Sequence, residues 1–215
     1  MQNLLFPLAA LLVCLFSFFL LLRDREIHGK QEKTERSVLI YSVVMILLTV
    51  VLSALIPVWF SEASTLALLK RVLLMCVVWP VAYIDYKTYR IPNAFVLFGL
   101  AVRALLLLLE MLYDEYWKLS LISEGIAAGA LFAASMLCAA LMKGSIGFGD
   151  IKMFVVLGLF LGIEGSWGAI FLALVLSLAV ALVLMAAKKK SRKDAIPFGP
   201  SMVLATYITV CLTGM

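Results

Sequence analysis

Two aspartates have neighbours that suit a carboxylate doing chemistry. Asp85 is followed by Tyr86-Lys87-Thr88-Tyr89-Arg90 and then by Ile91-Pro92-Asn93. Asp150 is preceded by Gly147-Phe148-Gly149 and followed by Ile151-Lys152. Two carboxyl groups brought together cannot both ionise cheaply, so they share a proton and divide acid and base work. Gly147 and Gly149 are expected to permit backbone angles that other residues avoid, and to leave room for an extended peptide beside Asp150. Position alone favours a plainer reading, in which each aspartate is a solvated helix end and Asp150 stabilises a helix N-terminus through its dipole. A Gly-x-Gly-Asp string by itself is a weak signal.

The other candidate groups are poor. Cys14, Cys76, Cys138 and Cys211 stand singly in apolar segments without C-x-x-C spacing, which argues against a zinc site or a disulfide framework. They read as buried free thiols. His28 is the one histidine and lies in a charged loop; a metal site needs several ligands, so His28 is read as an ordinary loop residue. No metal or organic cofactor is expected.

The elements that must position the aspartates are membrane helices. Of 215 residues, 65% are hydrophobic and 14% charged, and the mean hydropathy is +1.11. A soluble domain carries about a quarter charged residues. A sequence pI of about 9.1 is no sign of nucleic acid here. The basic residues sit in short loops between apolar runs, where anionic lipid headgroups and the positive-inside rule put them.

The expected architecture is all-α, a polytopic transmembrane helix bundle of about eight spans with the N-terminus outside. Spans are expected at 4–22, 38–60, 66–84, 91–112, 120–142, 151–163, 167–187 and 197–214, each judged against the roughly 20 residues a crossing needs. Segment 4–22 reads as a retained anchor, with no cleavage pattern before the charged run 23–36. Segment 151–163 is short, about 20 Å of helix, and ends at Gly162, Glu164, Gly165 and Ser166. The whole of 1–215 reads as one integral membrane domain, with two N-terminal spans in 1–60 and a core in 66–214.

In this topology most of the 18 basic residues fall in inside loops: Arg23 to Arg36, Lys87 and Arg90, Lys143 and Lys152, and Lys188 to Lys193. Lys70, Arg71 and Lys118 fall at outer ends, and Arg103 lies within a span. Asp85 then ends the third span and Asp150 begins the sixth, both at the inner face. Arg103 and Glu110, seven apart in the fourth span, are two turns distant, and pairing within a helix prefers three or four; each is expected to face a neighbouring helix or to snorkel. Trp59, Phe60, Trp117 and Trp167 read as interfacial anchors.

Asp85 with Ile91-Pro92-Asn93, Gly147-x-Gly149-Asp150-x-Lys152, and Ile196-Pro197-Phe198-Gly199-Pro200 together resemble the signature blocks of the type IV prepilin peptidases, in the family's order. The resemblance covers roughly residues 75–214. It implies a membrane aspartyl peptidase that cuts the leader from pilin-like precursors at the cytosolic face. Asp85 and Asp150 match the family's catalytic pair, Gly147 and Gly149 its loop glycines, and Lys152 the basic residue after the motif, to which no chemistry is given. The block Ile196 to Pro200 either lines the site or simply starts a helix, where proline is tolerated. Larger members carry a cytosolic insert with paired cysteines, linked to N-methylation. The run 23–36 is short and has no cysteine, so methyltransferase activity is expected to be absent and the chain resembles the short, Flp-type or preflagellin-type members.

Three other readings compete, one of them a non-catalytic assembly partner of a pilus or secretion machine, against which both aspartates and the Gly-x-Gly loop argue. A presenilin-like or signal-peptide-peptidase-like protease would have Tyr-Asp at the first aspartate, where Ile84 precedes Asp85, and Pro-Ala-Leu where Pro197-Phe198-Gly199-Pro200 stands. A proton or cation transporter would use the same acids, but would hold them nearer mid-bilayer than one face. The partners expected are precursor proteins and anionic headgroups, the latter at Lys188 to Lys193.

Overall fold

The computed structural model describes residues 2–23, 32–141, 146–191 and 194–213. The loop 24–31 with His28, together with Lys143, Gly144, Ser145, Arg192 and Lys193, lies outside the described residues. Among the described residues there are seven helices and no strand: α1 Gln2–Arg23, α2 Glu32–Trp59, α3 Thr65–Thr88, α4 Asn93–Tyr113, α5 Trp117–Leu141, α6 Phe148–Ala186 and α7 Gly199–Thr213. Helices α1 to α6 are long and apolar enough to cross a membrane, and α7 is a shorter apolar helix. An all-helical fold is what lipid demands, because every backbone group must then be satisfied within its own segment.

Helix α3 is the axis of the bundle. Every residue from Arg71 to Asp85 is buried, as expected of a helix that is apolar all round. Its start is capped by Ser64, whose side chain accepts from the Ala67 N–H at 3.2 Å. Its end is closed by Tyr89 in the left-handed region (φ 55°), whose N–H reaches the Asp85 carbonyl at 2.9 Å. Pro80 lies inside this helix and cannot donate to the carbonyl one turn back, that of Cys76. Ser17 of α1 supplies the missing hydrogen bond, its hydroxyl donating to the Cys76 carbonyl at 2.8 Å. Tyr41 of α2 and Tyr207 of α7 likewise donate to the carbonyls of Trp79 and Met75. The axis is thus pinned from three sides by side-chain hydroxyls.

The expected sixth and seventh spans are the two arms of α6, which bends at Gly162 (φ 64°, ψ −167°), a conformation open essentially to glycine alone. On a straight helix Asp150 and Ser177 would stand about 40 Å apart. Here both line one cavity of about 500 Å³, so the chain reverses at Gly162 and α6 is a hairpin without a loop. Its first arm runs antiparallel to α5: Gly158 abuts the backbone of Ala128, and Gly162 faces Ser123. Its second arm returns to the Asp85 end of α3, where Lys190 Nζ donates to the Tyr89 hydroxyl at 3.0 Å. The short sixth segment is explained: it is one arm of a folded pair, ending where Gly162 turns the chain.

Arg103 and Glu110 neither snorkel nor stay apart. Both are buried, and Arg103 Nη2 pairs directly with Glu110 Oε2 at 2.8 Å. Two features defeat the spacing rule. Both side chains are long enough to bridge two turns, and Arg103 is held between Glu110 and Glu124 of α5, which it also binds. Lys70 of α3 closes the cluster, 2.5 Å from Glu124 and 3.3 Å from Glu110. Lys70 and Arg71, expected at an outer helix end, are therefore part of or beside a buried charge network.

Candidate active site

Asp85 sits at the last fully buried position of α3, with 6% of its surface exposed. Asp150 sits in the first turn of α6, half-buried. The two line one cavity of about 310 Å³ with Tyr89, Arg90, Ile91, Gly147, Phe148, Gly149 and Lys152. The helix ends that carry them meet because α3 and the first arm of α6 both pack on α4, where Gly99 lies between Val77 and Val156.

The three sequence blocks converge here. Ile91 lies against Gly149: a Cβ at 149 would stand 2.9 Å from Ile91 Cβ and 3.3 Å from its backbone nitrogen. Pro92 precedes α4 in extended conformation (φ −64°, ψ 138°) and so starts the helix. Asn93, its first residue, accepts a 2.7 Å hydrogen bond from Lys152 Nζ, which ties the first block to the second. From the third block, the Gly199 N–H donates to Asp85 Oδ2 at 2.6 Å. A Cβ on Gly199 would stand 2.8 Å from Asp85 Cβ, so only glycine lets this backbone come so near. Pro197 immediately precedes Phe198, and Pro200 lies in the first turn of α7, facing a different, apolar cavity with Tyr41 and Tyr207.

One expectation for the glycines is corrected. Gly147 has φ −73° and ψ 143°, ordinary extended backbone that any residue adopts, and Gly149 is helical. Among the described glycines only Gly162 has a positive φ. The Gly-x-Gly string is needed for space, at Ile91 and beside the Asp150 carboxylate, which a Cβ at 147 would meet at 3.1 Å. Missed by sequence reasoning was Tyr89, the left-handed residue of the site; Phe198, within the block Ile196 to Pro200, packs its ring edge-on to Phe154 at 5.7 Å.

Asp150 also belongs to the larger cavity of about 500 Å³, an apolar slot between α5 and the two arms of α6. Its walls include Leu131, Ala134, Phe154, Ile170, Leu174 and Phe198, and Trp167 lines it as well. Asp150 Oδ1 has no hydrogen-bond partner among the described residues. Beyond the slot, the turn into α7 is held by Ser191 N–H donating to Asp194 Oδ2 at 2.7 Å. That bond keeps the exposed Asp194 carboxyl below its usual range.

A sequence profile described as the type IV leader peptidase family matches residues 72–184, which takes in both aspartates and the part of the slot formed by α5 and α6. The chain belongs to that family. It is also 30% identical over 128 residues to the prepilin leader peptidase/N-methyltransferase of Bacillus subtilis (strain 168), a match that covers 60% of this chain and 49% of the relative. The chain thus spans about half the length of the curated relative it matches. No solved structure matches significantly. Membership of this family, with six helices long and apolar enough to cross a bilayer, makes the chain an integral membrane protein.

Proposed function

We propose that the chain is an aspartyl endopeptidase that removes the leader from type IV pilin-like precursors, of the prepilin, Flp-type or preflagellin-type kind, with Asp85 and Asp150 as the catalytic pair. The observation that carries this reading is the single cavity that both carboxyl groups line. The pair holds one proton between them. The ionised carboxylate takes a proton from a water as its oxygen attacks the peptide carbonyl carbon, and the protonated one donates to the carbonyl oxygen. The tetrahedral diol then collapses: its hydroxyl proton returns to the carboxylate, the amine takes a proton from the pair, and the C–N bond breaks. Gly199 holds Asp85 Oδ2 as an acceptor throughout, so the shared proton lies on another oxygen of the pair.

Substrate placement follows from Asp150 belonging to both cavities. The apolar helix of a precursor lies in the slot between α5 and α6, which sets the scissile bond at the mouth where Asp85 and Asp150 meet. Lys87, Arg90 and the Lys188 to Lys190 run gather at this end, which supports a cytosolic site in the plasma membrane by the positive-inside rule. Methyl transfer is outside the proposal, because the run 23–36 has no cysteine.

The test is to mix membranes containing the protein with a pilin-like precursor and S-adenosylmethionine, then weigh the product. The reading expects a fragment shortened by its leader and carrying no methyl group. An uncut precursor, across several candidates, would favour the transporter reading of the same acids.

A further inference from the structure

The fully buried run of α3 ends at Asp85 and begins, about 21 Å away along the helix, at Arg71. Arg71 is 6% exposed, and its Nη1 is buried with no hydrogen-bond partner among the described residues. A buried guanidinium in a membrane helix is costly unless it is paired. The neighbouring acids are already engaged: Glu110 and Glu124 are both held by Lys70 and Arg103. Lys70, Arg71 and Arg103 against Glu110 and Glu124 leave the cluster one positive charge in excess. Arg71 opens onto a cavity of about 340 Å³, lined also by Lys70, Ser120, Ser123, Glu124 and Glu164 and by Gly162 at the bend of α6. Two cations and two hydroxyls face this space, far from the aspartates, with Glu124 already engaged in the buried cluster and Glu164 exposed at the rim.

We propose that this cavity is a binding site for a phosphate-type oxyanion, with Arg71 as its principal ligand and Lys70 and the hydroxyls of Ser120 and Ser123 in support. A planar guanidinium suits paired phosphate oxygens, and the binding site lies at the end of α3 opposite the catalytic pair, near the depth of lipid headgroups in the other leaflet. The same chemistry is offered by an anionic phospholipid headgroup and by free phosphate. Glu164 lies on the exposed edge of the cavity and is the one described acid there with no role in the buried cluster.

The experiment is thermal unfolding of the delipidated, purified full chain. It is run in detergent with and without inorganic phosphate, and in phosphatidylcholine nanodiscs with and without phosphatidylglycerol. The wild type is expected to gain several degrees of Tm from at least one of these, and Arg71→Gln to lose that gain. Response to phosphatidylglycerol alone identifies a lipid headgroup, and response to inorganic phosphate as well identifies a free-anion site. Ala67→Glu, one turn before Arg71 and on the cavity wall, guards against a poorly folding Arg71 variant. It supplies an internal carboxylate, so its unliganded Tm should rise and its response vanish. Glu164→Gln should respond at least as strongly as the wild type. A gain equal in the wild type and in both Arg71→Gln and Ala67→Glu, or no gain from either phosphate source, would overturn the proposal. So would a loss of unliganded Tm in Glu164→Gln with no ligand response, since Glu164 would then be the partner of Arg71.

Discussion

The backbone N–H of Gly199 donates a 2.6 Å hydrogen bond to Asp85 Oδ2, and no larger residue fits there. A turn some hundred residues downstream thus orients the first carboxylate of the pair. Gly199→Ala would place a methyl group 2.8 Å from Asp85 Cβ and push the loop or the carboxylate aside. Displacement of a catalytic group on this scale costs on the order of 100-fold in rate. The expected result is that loss in kcat with little change in Tm, measured by cleavage assay and thermal unfolding.

Gly147 and Gly149 should respond differently to the same change. Gly149→Ala meets Ile91 at Cβ and backbone nitrogen, rigid groups that cannot yield, and should destabilise by about 1–3 kcal/mol. Gly147→Ala meets only the Asp150 carboxylate, so the fold should hold while activity falls. Paired Tm and kcat values for the two variants check this.

Ala134 lies on the exposed side of α5 and lines the apolar slot. Ala134→Trp should fill the slot without disturbing the core. If the slot seats the precursor's apolar helix, kcat/KM for full-length precursor should fall roughly tenfold, about 1.4 kcal/mol of lost interaction. A short peptide holding only the cleavage site should be cut as before. Equal effects on both substrates would remove the slot from the account.

Arg103 bridges Glu110 and Glu124 inside the bundle. Arg103→Ala leaves two buried carboxylates with Lys70 alone and should cost about 3–5 kcal/mol, read as a lowered Tm in detergent.

Much of the site was legible in the sequence because its signals are local. Asp85 with Ile91-Pro92-Asn93, the Gly147 to Lys152 string and the Ile196 to Pro200 block are short runs at helix ends, and the structure draws all three to one place. The break at Gly162 was legible in part, as a short span ending at Gly162, Glu164, Gly165 and Ser166, though it was still counted as a crossing. What remained hidden depends on contacts between helices. Glu124 has no neighbour in the sequence that singles it out, and only the approach of α3 and α4 makes it the centre of a charge cluster. The seven-residue spacing of Arg103 and Glu110 hid their pairing, since side-chain reach across two turns is not part of helical periodicity. The reason for Gly149 was also out of sight: the neighbour that excludes a Cβ is Ile91, distant in sequence.

The central claim is that Asp85 and Asp150 act as one catalytic unit. Its most direct test compares precursor cleavage by the wild type, Asp85→Asn, Asp150→Asn and the double variant at matched protein levels. Residues that act as a unit are far from additive. The account predicts that each single variant is inactive to the same background as the double. Cleavage surviving in either single variant would contradict it.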